Sequence, residues 1–356
     1  MSAEVAAGHD GDGGAVSERR APFARPTIRE VADAAGVSRS TASRAMSGKG
    51  YAAPEVRDRV RAAAKELGYV VDVTARALKQ RTSRSVGVLV SDLRNVFYAE
   101  LASGIGEEAR AHGRTLVMVD LRGDGADELE AAEVLVASRV SGVIATPVSR
   151  ELSGFLSRIG VPLIEVDRRF DTEESDAVVV DNRAAAYDTT MRLLTAGHLR
   201  IALLIDETEW TTGEERQQGY LDALAARGVR VDESLIVQAG WDADEAQAAA
   251  EGILSRADRP TAVFAANNVL TEGTWRAAAA LGLGIPSDVS LAGFDDAPWM
   301  SMVQPGVSTR YQDAGALGAT AMRTLLERIE APDAPVRTIV MPTRFVDRGS
   351  IAAPRK

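Results

Sequence analysis

From Val86 onward the chain repeats one pattern. Short apolar runs (Val86–Val90, Leu116–Val119, Val143–Ala145, Leu163–Val166, Val178–Val180, Ile201–Leu204, Ala262–Ala265, Ser290–Ala292) alternate with amphipathic segments at 97–112, 182–196, 213–227, 242–256, 269–281 and 314–329. Runs this short read as strands, and the longer segments, with apolar residues three and four apart, read as helices. A parallel strand pair needs a long crossover, most often a helix, so the alternation predicts parallel sheets covered by helices on both faces. Some 260 residues in this pattern are too many for one open sheet. We therefore expect two doubly wound α/β lobes facing a cleft. Ligands of such sheets sit beyond the carboxyl ends of the strands.

The segment ahead of this core has a different grammar. Thr27 and Glu30 have capping-box spacing, so a helix is predicted to begin at Ile28, with Ile28, Val31, Ala32 and Ala35 on one face. Gly36 ends it and Val37 turns inward. Ser38 then caps a second short helix whose outer face carries Arg39, Ser40, Ser43 and Arg44, while Ala42, Ala45 and Met46 face inward. Two short helices joined by a tight Gly-containing turn form a helix-turn-helix, whose second helix fits the DNA major groove. Any small three-helix domain also needs capped amphipathic helices. The outer-face chemistry separates the two readings, because Arg grips guanine bidentately and Ser or Thr hydroxyls bind phosphate. A third helix follows, with Pro54 in its first turn and Val56, Val60, Ala64 and Leu67 as its buried stripe.

Net charge is −10 over the whole chain, which taken alone argues against nucleic acid. Its distribution reverses this. Residues 1–18 carry four acids and no Lys or Arg; residues 19–84 carry 15 Lys and Arg against 6 Asp and Glu, or +9, so the remainder carries −15. A basic head on an acidic body meets DNA at one end only. There is no Cys, and His9, His112 and His198 are far apart in sequence, so disulfides are excluded and neither a metal nor a cofactor is expected. The longest apolar runs are too short to span a bilayer and no apolar signal segment precedes the head, which points to the cytoplasm and to no membrane partner.

Ordered motifs then accumulate. They are Ile-Arg-Glu-Val-Ala-Asp-Ala-Ala-Gly-Val-Ser-Arg-Ser-Thr-Ala-Ser-Arg at 28–44, Leu-Gly-Tyr at 67–69, Ala-Arg-Ala-Leu at 75–78, Gly-His-Leu-Arg-Ile-Ala at 197–202, Arg-Gln-Gln-Gly-Tyr at 216–220, Ala-Ala-Asn-Asn at 265–268, Gly-Phe-Asp-Asp at 293–296 and Arg-Gly-Ser at 348–350. Through them the chain resembles the lactose-repressor (LacI/GalR) family of transcription regulators from about Thr27 to Ser350. Residues 1–24, dominated by Gly, Ala, Asp and Ser with few large apolar residues, are expected to be a disordered tail. The resemblance implies an all-α helix-turn-helix domain (25–70), a hinge helix and linker (71–84) and a periplasmic-binding-protein-like core (85–350). The core's first lobe would comprise about 85–181 and 312–338, and its second lobe about 182–311 and 339–350. It implies a homodimeric repressor on a pseudo-palindromic double-stranded operator, whose dimer surface includes the helix near Phe97 and the stretch after Asp120. No terminal heptad segment calls for a tetramer.

Carried over by position, Arg39, Ser40 and Arg44 would read bases, and Ser38, Thr41 and Ser43 would contact phosphate. Leu78 would wedge into the minor groove with Lys79 beside it, bending the duplex. The family's usual Pro-Asn before the hinge is Val71-Asp72 here. Phe97, Tyr98, Asp167, Arg216, Trp241, Asn267 and Asp295 fall where the family holds its small effector, expected to be a carbohydrate. Carboxylates and an amide suit vicinal hydroxyls, and Arg supplies fixed donors. Trp241 aligns with an indole that stacks on a sugar ring, although an indole there equally suits a partly buried loop aromatic.

Two rival functions remain to weigh. A transporter's solute-binding protein would share the core but not the head. A sugar-converting enzyme would need more than the Asp295-Asp296 carboxylate pair, and no nucleophile, phosphate loop or metal set accompanies it. The expected function is a non-enzymatic, effector-controlled repressor.

Overall fold

The computed structural model describes residues 26–48, 51–70, 83–122, 127–170, 174–206 and 210–355. The chain divides into two compact units, Met1–Arg81 and Thr82–Lys356. The expected tail, and the hinge with Val71, Asp72, Leu78 and Lys79, lie outside the described residues.

The first unit contains α1 (Ile28–Ala34), α2 (Arg39–Ser47) and α3 (Pro54–Glu66). The capping box forms in both directions: the Thr27 amide donates to Glu30 Oε2 (2.6 Å) and the Glu30 amide to Thr27 Oγ1 (3.4 Å). Gly48 ends α2 with φ +69, a left-handed conformation that costs glycine little. The core is made of small residues: Val31, Ala32, Ala35, Ala42, Ala45, Val60, Ala63 and Ala64 are buried, with Ile28, Val37, Met46, Val56 and Leu67 packed around them. Small side chains let three short helices approach closely. Arg59 Nε donates to the Ala35 carbonyl (3.0 Å), satisfying one of the open carbonyls that end α1.

The second unit holds two six-stranded sheets. The first-lobe sheet contains β1 (Ser85–Val90), β2 (Thr115–Asp120), β3 (Val143–Ala145), β4 (Leu163–Val166), β5 (Asp176–Val180) and β11 (Thr338–Met341), in the order β11-β5-β4-β3-β1-β2. The second-lobe sheet contains β6 (Ile201–Ile205), β7 (Ile236–Gln238), β8 (Ala262–Ala265), β9 (Ser290–Phe294), β10 (Ser308–Gln312) and β12 (Thr343–Val346), in the order β12-β10-β9-β8-β6-β7. Every pairing is parallel except β10 with β12. Helices α4 (Val96–Ala111), α5 (Glu128–Ala137), α6 (Glu151–Arg158) and α11 (Ala314–Glu330) cover the first sheet; α7 (Asn182–Thr195), α8 (Thr211–Ala226), α9 (Ala243–Leu254) and α10 (Asn268–Ala280) cover the second.

The chain crosses between lobes three times, between β5 and α7, between β10 and α11, and between β11 and β12. Asp181 and Asp313 stand at the first two crossings and cap the helices that follow, accepting from the Ala184 amide (2.8 Å) and the Ala316 amide (2.9 Å). The third crossing corrects the expected boundary near 338/339. Thr338–Met341 pairs with Ala177–Val180, so the chain returns to the second lobe only after Met341.

Candidate functional site

The carboxyl ends of the strands converge on a cavity of about 350 Å³ between the two lobes. All seven residues expected to hold the effector line it: Phe97, Tyr98 and Asp167 from the first lobe, and Arg216, Trp241, Asn267 and Asp295 from the second. Most sit at or just beyond an element's end, while Arg216 projects from the second turn of α8. Phe97 and Tyr98 open α4, whose cap Asn95 accepts from the Phe97 amide (3.0 Å). Asp167 follows β4 and Asp295 follows β9, and both take left-handed backbone angles (φ +72 and +62). Asn267 caps α10, accepting from the Leu270 amide (2.7 Å), and donates through Nδ2 to Asp206 Oδ2 (3.0 Å).

Arg216 is the most constrained of the set, 3% exposed. Its Nε donates to Asn182 Oδ1 (2.8 Å) and Nη1 to the Ala266 carbonyl (2.5 Å). Its guanidinium carbon lies 3.8 Å from the Phe294 ring centroid, and Nη1 is 3.9 Å from Asp295 Oδ2. Two of its five donors are spent on holding it, which leaves three for a ligand. Asp295 accepts from Gln312 Nε2 (2.5 Å). Burial pushes its carboxyl up to about 6, against the pull of Arg216 and with added repulsion from Asp167. Asp167 accepts from the Tyr98 hydroxyl (3.3 Å), and burial raises its carboxyl too, opposed by Arg168 and Arg216.

Three residues overlooked in the sequence also belong to this site. Arg168 lines the cavity at 1% exposure, with Nε and Nη2 buried and without hydrogen-bond partners among the described residues. Its guanidinium carbon lies 3.7 Å from the Trp210 ring centroid. A buried guanidinium with open donors is costly unless an oxygen ligand arrives. Trp210 packs against Trp241, with centroids 4.4 Å apart and rings tilted by 54°. Asp206 lines the cavity beside Asn267. The Asp-Arg step at the end of a strand was a usable signal for Arg168; no local pattern marks Trp210. Contacts also bridge the lobes: Asn268 Nδ2 donates to Asn95 Oδ1 (2.8 Å) and the Arg169 amide to Thr211 Oγ1 (3.1 Å).

The carboxylate pair at 295–296 separates. Asp296 accepts two bonds from Arg348, from Nη1 (2.8 Å) and Nη2 (2.6 Å), and is spent on that clamp.

In the head, Ser38, Arg39, Ser40, Ser43 and Arg44 are exposed and Thr41 is half-buried. Ser38 Oγ accepts from the Thr41 amide (3.2 Å) and lies 2.9 Å from Ser40 Oγ and 2.8 Å from Thr41 Oγ1. No acid occurs in α2. The helix therefore offers hydroxyls at its positive N-terminus and guanidiniums along its outer face.

Comparison with known proteins gives this architecture its place. A family model described as bacterial regulatory proteins, lacI family, matches residues 27–72, and one described as a periplasmic binding protein-like domain matches 190–351. The HTH-type transcriptional regulator CelR of Thermobifida fusca is 32% identical over 335 residues, 92% of this chain and 98% of that protein. The chain belongs to the LacI family. It is a DNA-binding transcription regulator, with the family's helix-turn-helix head and two-lobed core. A solved CelR–cellobiose complex covers 92% of this chain and all of that one at 31% identity, with a TM-score of 0.70. A lac repressor dimer bound to operator and the anti-inducer ONPF covers 93% and 100% at 25% identity, with a TM-score of 0.82.

Proposed function

We propose that this LacI-family protein represses transcription as a homodimer on a pseudo-palindromic operator, and that a carbohydrate bound between its lobes sets operator affinity without being converted. The observation that carries this reading is the convergence of Asp167, Arg216, Asn267 and Asp295 with aromatic side chains in one interlobe cavity. Buried carboxylates, an amide and a guanidinium are the groups that pair with many hydroxyls at once. The cellobiose held by the solved relative is of the same chemistry. The effector acts through its differential affinity for two arrangements of the lobes. In the head, Arg39, Ser40 and Arg44 read bases and Ser38, Thr41 and Ser43 hold phosphates, while Leu78 and Lys79 engage the minor groove from the hinge. Operator binding measured by fluorescence anisotropy against a panel of sugars tests the reading. A panel that leaves operator affinity unchanged would refute it.

Arg44→Ala is expected to weaken operator binding by about 1–3 kcal/mol and to relax preference at one base pair. Selection from randomised half-sites checks this, and uniform weakening on all sequences would reassign Arg44 to phosphate contact.

The raised Asp295 carboxyl predicts a pH dependence. Sugar hydroxyls donating to the carboxylate favour its charged form, so effector binding expels the proton. Affinity is expected to be flat above pH ~6 and to fall by about tenfold per unit below it. The stability of the effector-free core is expected to show the opposite trend from this group. Between the ordinary carboxyl range and about 6, the folded state binds more protons than the unfolded one, so its stability falls as pH rises. Titration calorimetry from pH 5 to 8 reads the first effect; an affinity independent of pH would remove Asp295 from the contact set.

A further inference from the structure

We propose that a second ligand site, for a short aliphatic carboxylate, lies where the chain crosses between the lobes, with Arg310 as its cation. A cavity of about 360 Å³ opens there, and among the described residues it shares no lining side chain with the effector cavity. Its walls come from both lobes: Ala184 and Ala185 from α7 in the second, Val340 and Met341 from β11 in the first. Asp181, at the first crossing, and Thr343, just past the third, complete it around Arg310.

Arg310 sits on an inner strand at 6% exposure. Its Nη2 donates to Asp188 Oδ2, but its Nε is buried without a hydrogen-bond partner among the described residues. A buried guanidinium with an open N–H is costly until an acceptor reaches it, and an ionised acceptor stabilises it most. The acids at hand are committed. Asp181 Oδ1 caps α7, accepting from the Ala184 amide (2.8 Å), and Asp188 is shared between Arg310 and Arg192 Nε (3.1 Å). A carboxylate matches what is left. A phosphate, with three oxygens to satisfy, finds too few donors and an apolar wall. That wall, with Val340 left 58% exposed, suits a short hydrocarbon body. The site is also joined to the effector cavity. Gln312 lies two residues beyond Arg310 on the same face of β10, and donates through Nε2 to Asp295 (2.5 Å). An occupant touching both lobes favours one arrangement of them, and so acts on operator affinity.

Thermal unfolding of the full-length protein at constant ionic strength tests the site, with butyrate, acetate, phosphate and 1-butanol as probes. A ligand of the native state raises the midpoint in a saturable way. Butyrate is expected to do so, and to bind about tenfold or more tighter than acetate, at roughly fourfold per buried methylene. Phosphate and 1-butanol are expected to have no saturable effect. Arg310→Met leaves Asp188 paired with Arg192 and is expected to abolish the butyrate effect. Val340→Glu, at an exposed position on the edge strand β11, sets a like charge at the mouth and is expected to weaken butyrate by about fivefold or more with the core untouched. No saturable rise with butyrate, an equal one with either control, or butyrate affinity unchanged in either variant would overturn the site. Saturating butyrate is also expected to change operator affinity, read by anisotropy, in the unmodified chain and not in Arg310→Met. Butyrate binding without that change would overturn its action on the lobes.

Discussion

Arg216→Ala is expected to abolish the effector response and to destabilise the core, and the two losses have separable causes. The guanidinium compensates Asp295, bonds Asn182 and the Ala266 carbonyl, and covers the Phe294 ring, all at 3% exposure. Removing it strands a buried carboxylate and two acceptors. Breaking a buried charged pair from one side costs about 3–5 kcal/mol. Effector affinity should fall by at least about 100-fold, because roughly 2–5 kcal/mol is lost when a desolvated charged partner is truncated. Arg216→Lys separates the causes. It keeps a charge near Asp295, so most of the stability returns, yet a point-like ammonium cannot hold Asn182, the Ala266 carbonyl and a ligand together. Thermal unfolding and operator anisotropy with and without sugar read both quantities. A lysine variant with a normal effector response would show that charge alone matters at this position. Operator binding without effector should survive in Arg216→Lys, whose core keeps most of its stability.

What was legible in the sequence was mostly local. The capping box at Thr27 and Glu30, the glycine ends of the head helices and the apolar strands of both lobes depend on neighbours a few residues away. The seven cleft residues were placed by resemblance, and they lie together because six of them follow a strand or open a helix at the same edge and Arg216 reaches it from the second turn of α8. Four strands were missed, and β10 shows why. Ser308, Thr309, Arg310 and Gln312 are buried but polar, so no apolar run marks them. Their environment is completed from afar, with the Ser308 amide donating to Ser350 Oγ (2.8 Å) and Ser308 Oγ to Asp347 (3.0 Å). The third crossing was misplaced for a related reason. Thr338–Met341 is a half-exposed edge strand whose membership is decided by pairing with β5, not by its own pattern. Arg168 and Trp210 take their meaning from the approach of the opposite lobe, a contact no periodicity encodes.

Gly219→Ala sets helix propensity against packing, and packing is expected to win. In an exposed helix interior, exchanging Gly for Ala gains about 0.5–1 kcal/mol. At Gly219 an added Cβ would lie 2.2 Å from the Arg183 carbonyl oxygen and 2.9 Å from Ala186 Cβ, so α8 must move away from α7. Overpacking of this kind costs about 1–3 kcal/mol, and a clash with backbone belongs at the upper end. The movement reaches the effector site directly. Gly219 is one turn from Arg216 on α8, and Asn182, which holds Arg216 Nε at 2.8 Å, is the first residue of α7. Separating the helices stretches that bond and turns the guanidinium, so effector affinity should fall about tenfold or more although no ligand-contacting atom has changed. Gly252→Ala supplies the contrast. It lies near the end of α9 with nothing within 4 Å of the added carbon, and should gain stability and leave effector binding unchanged. Denaturant unfolding of the two variants beside calorimetric titration of the effector gives a sign for each. A stability gain at both positions would mean that α7 and α8 have room to spare, and that the placement of Arg216 does not depend on their close approach.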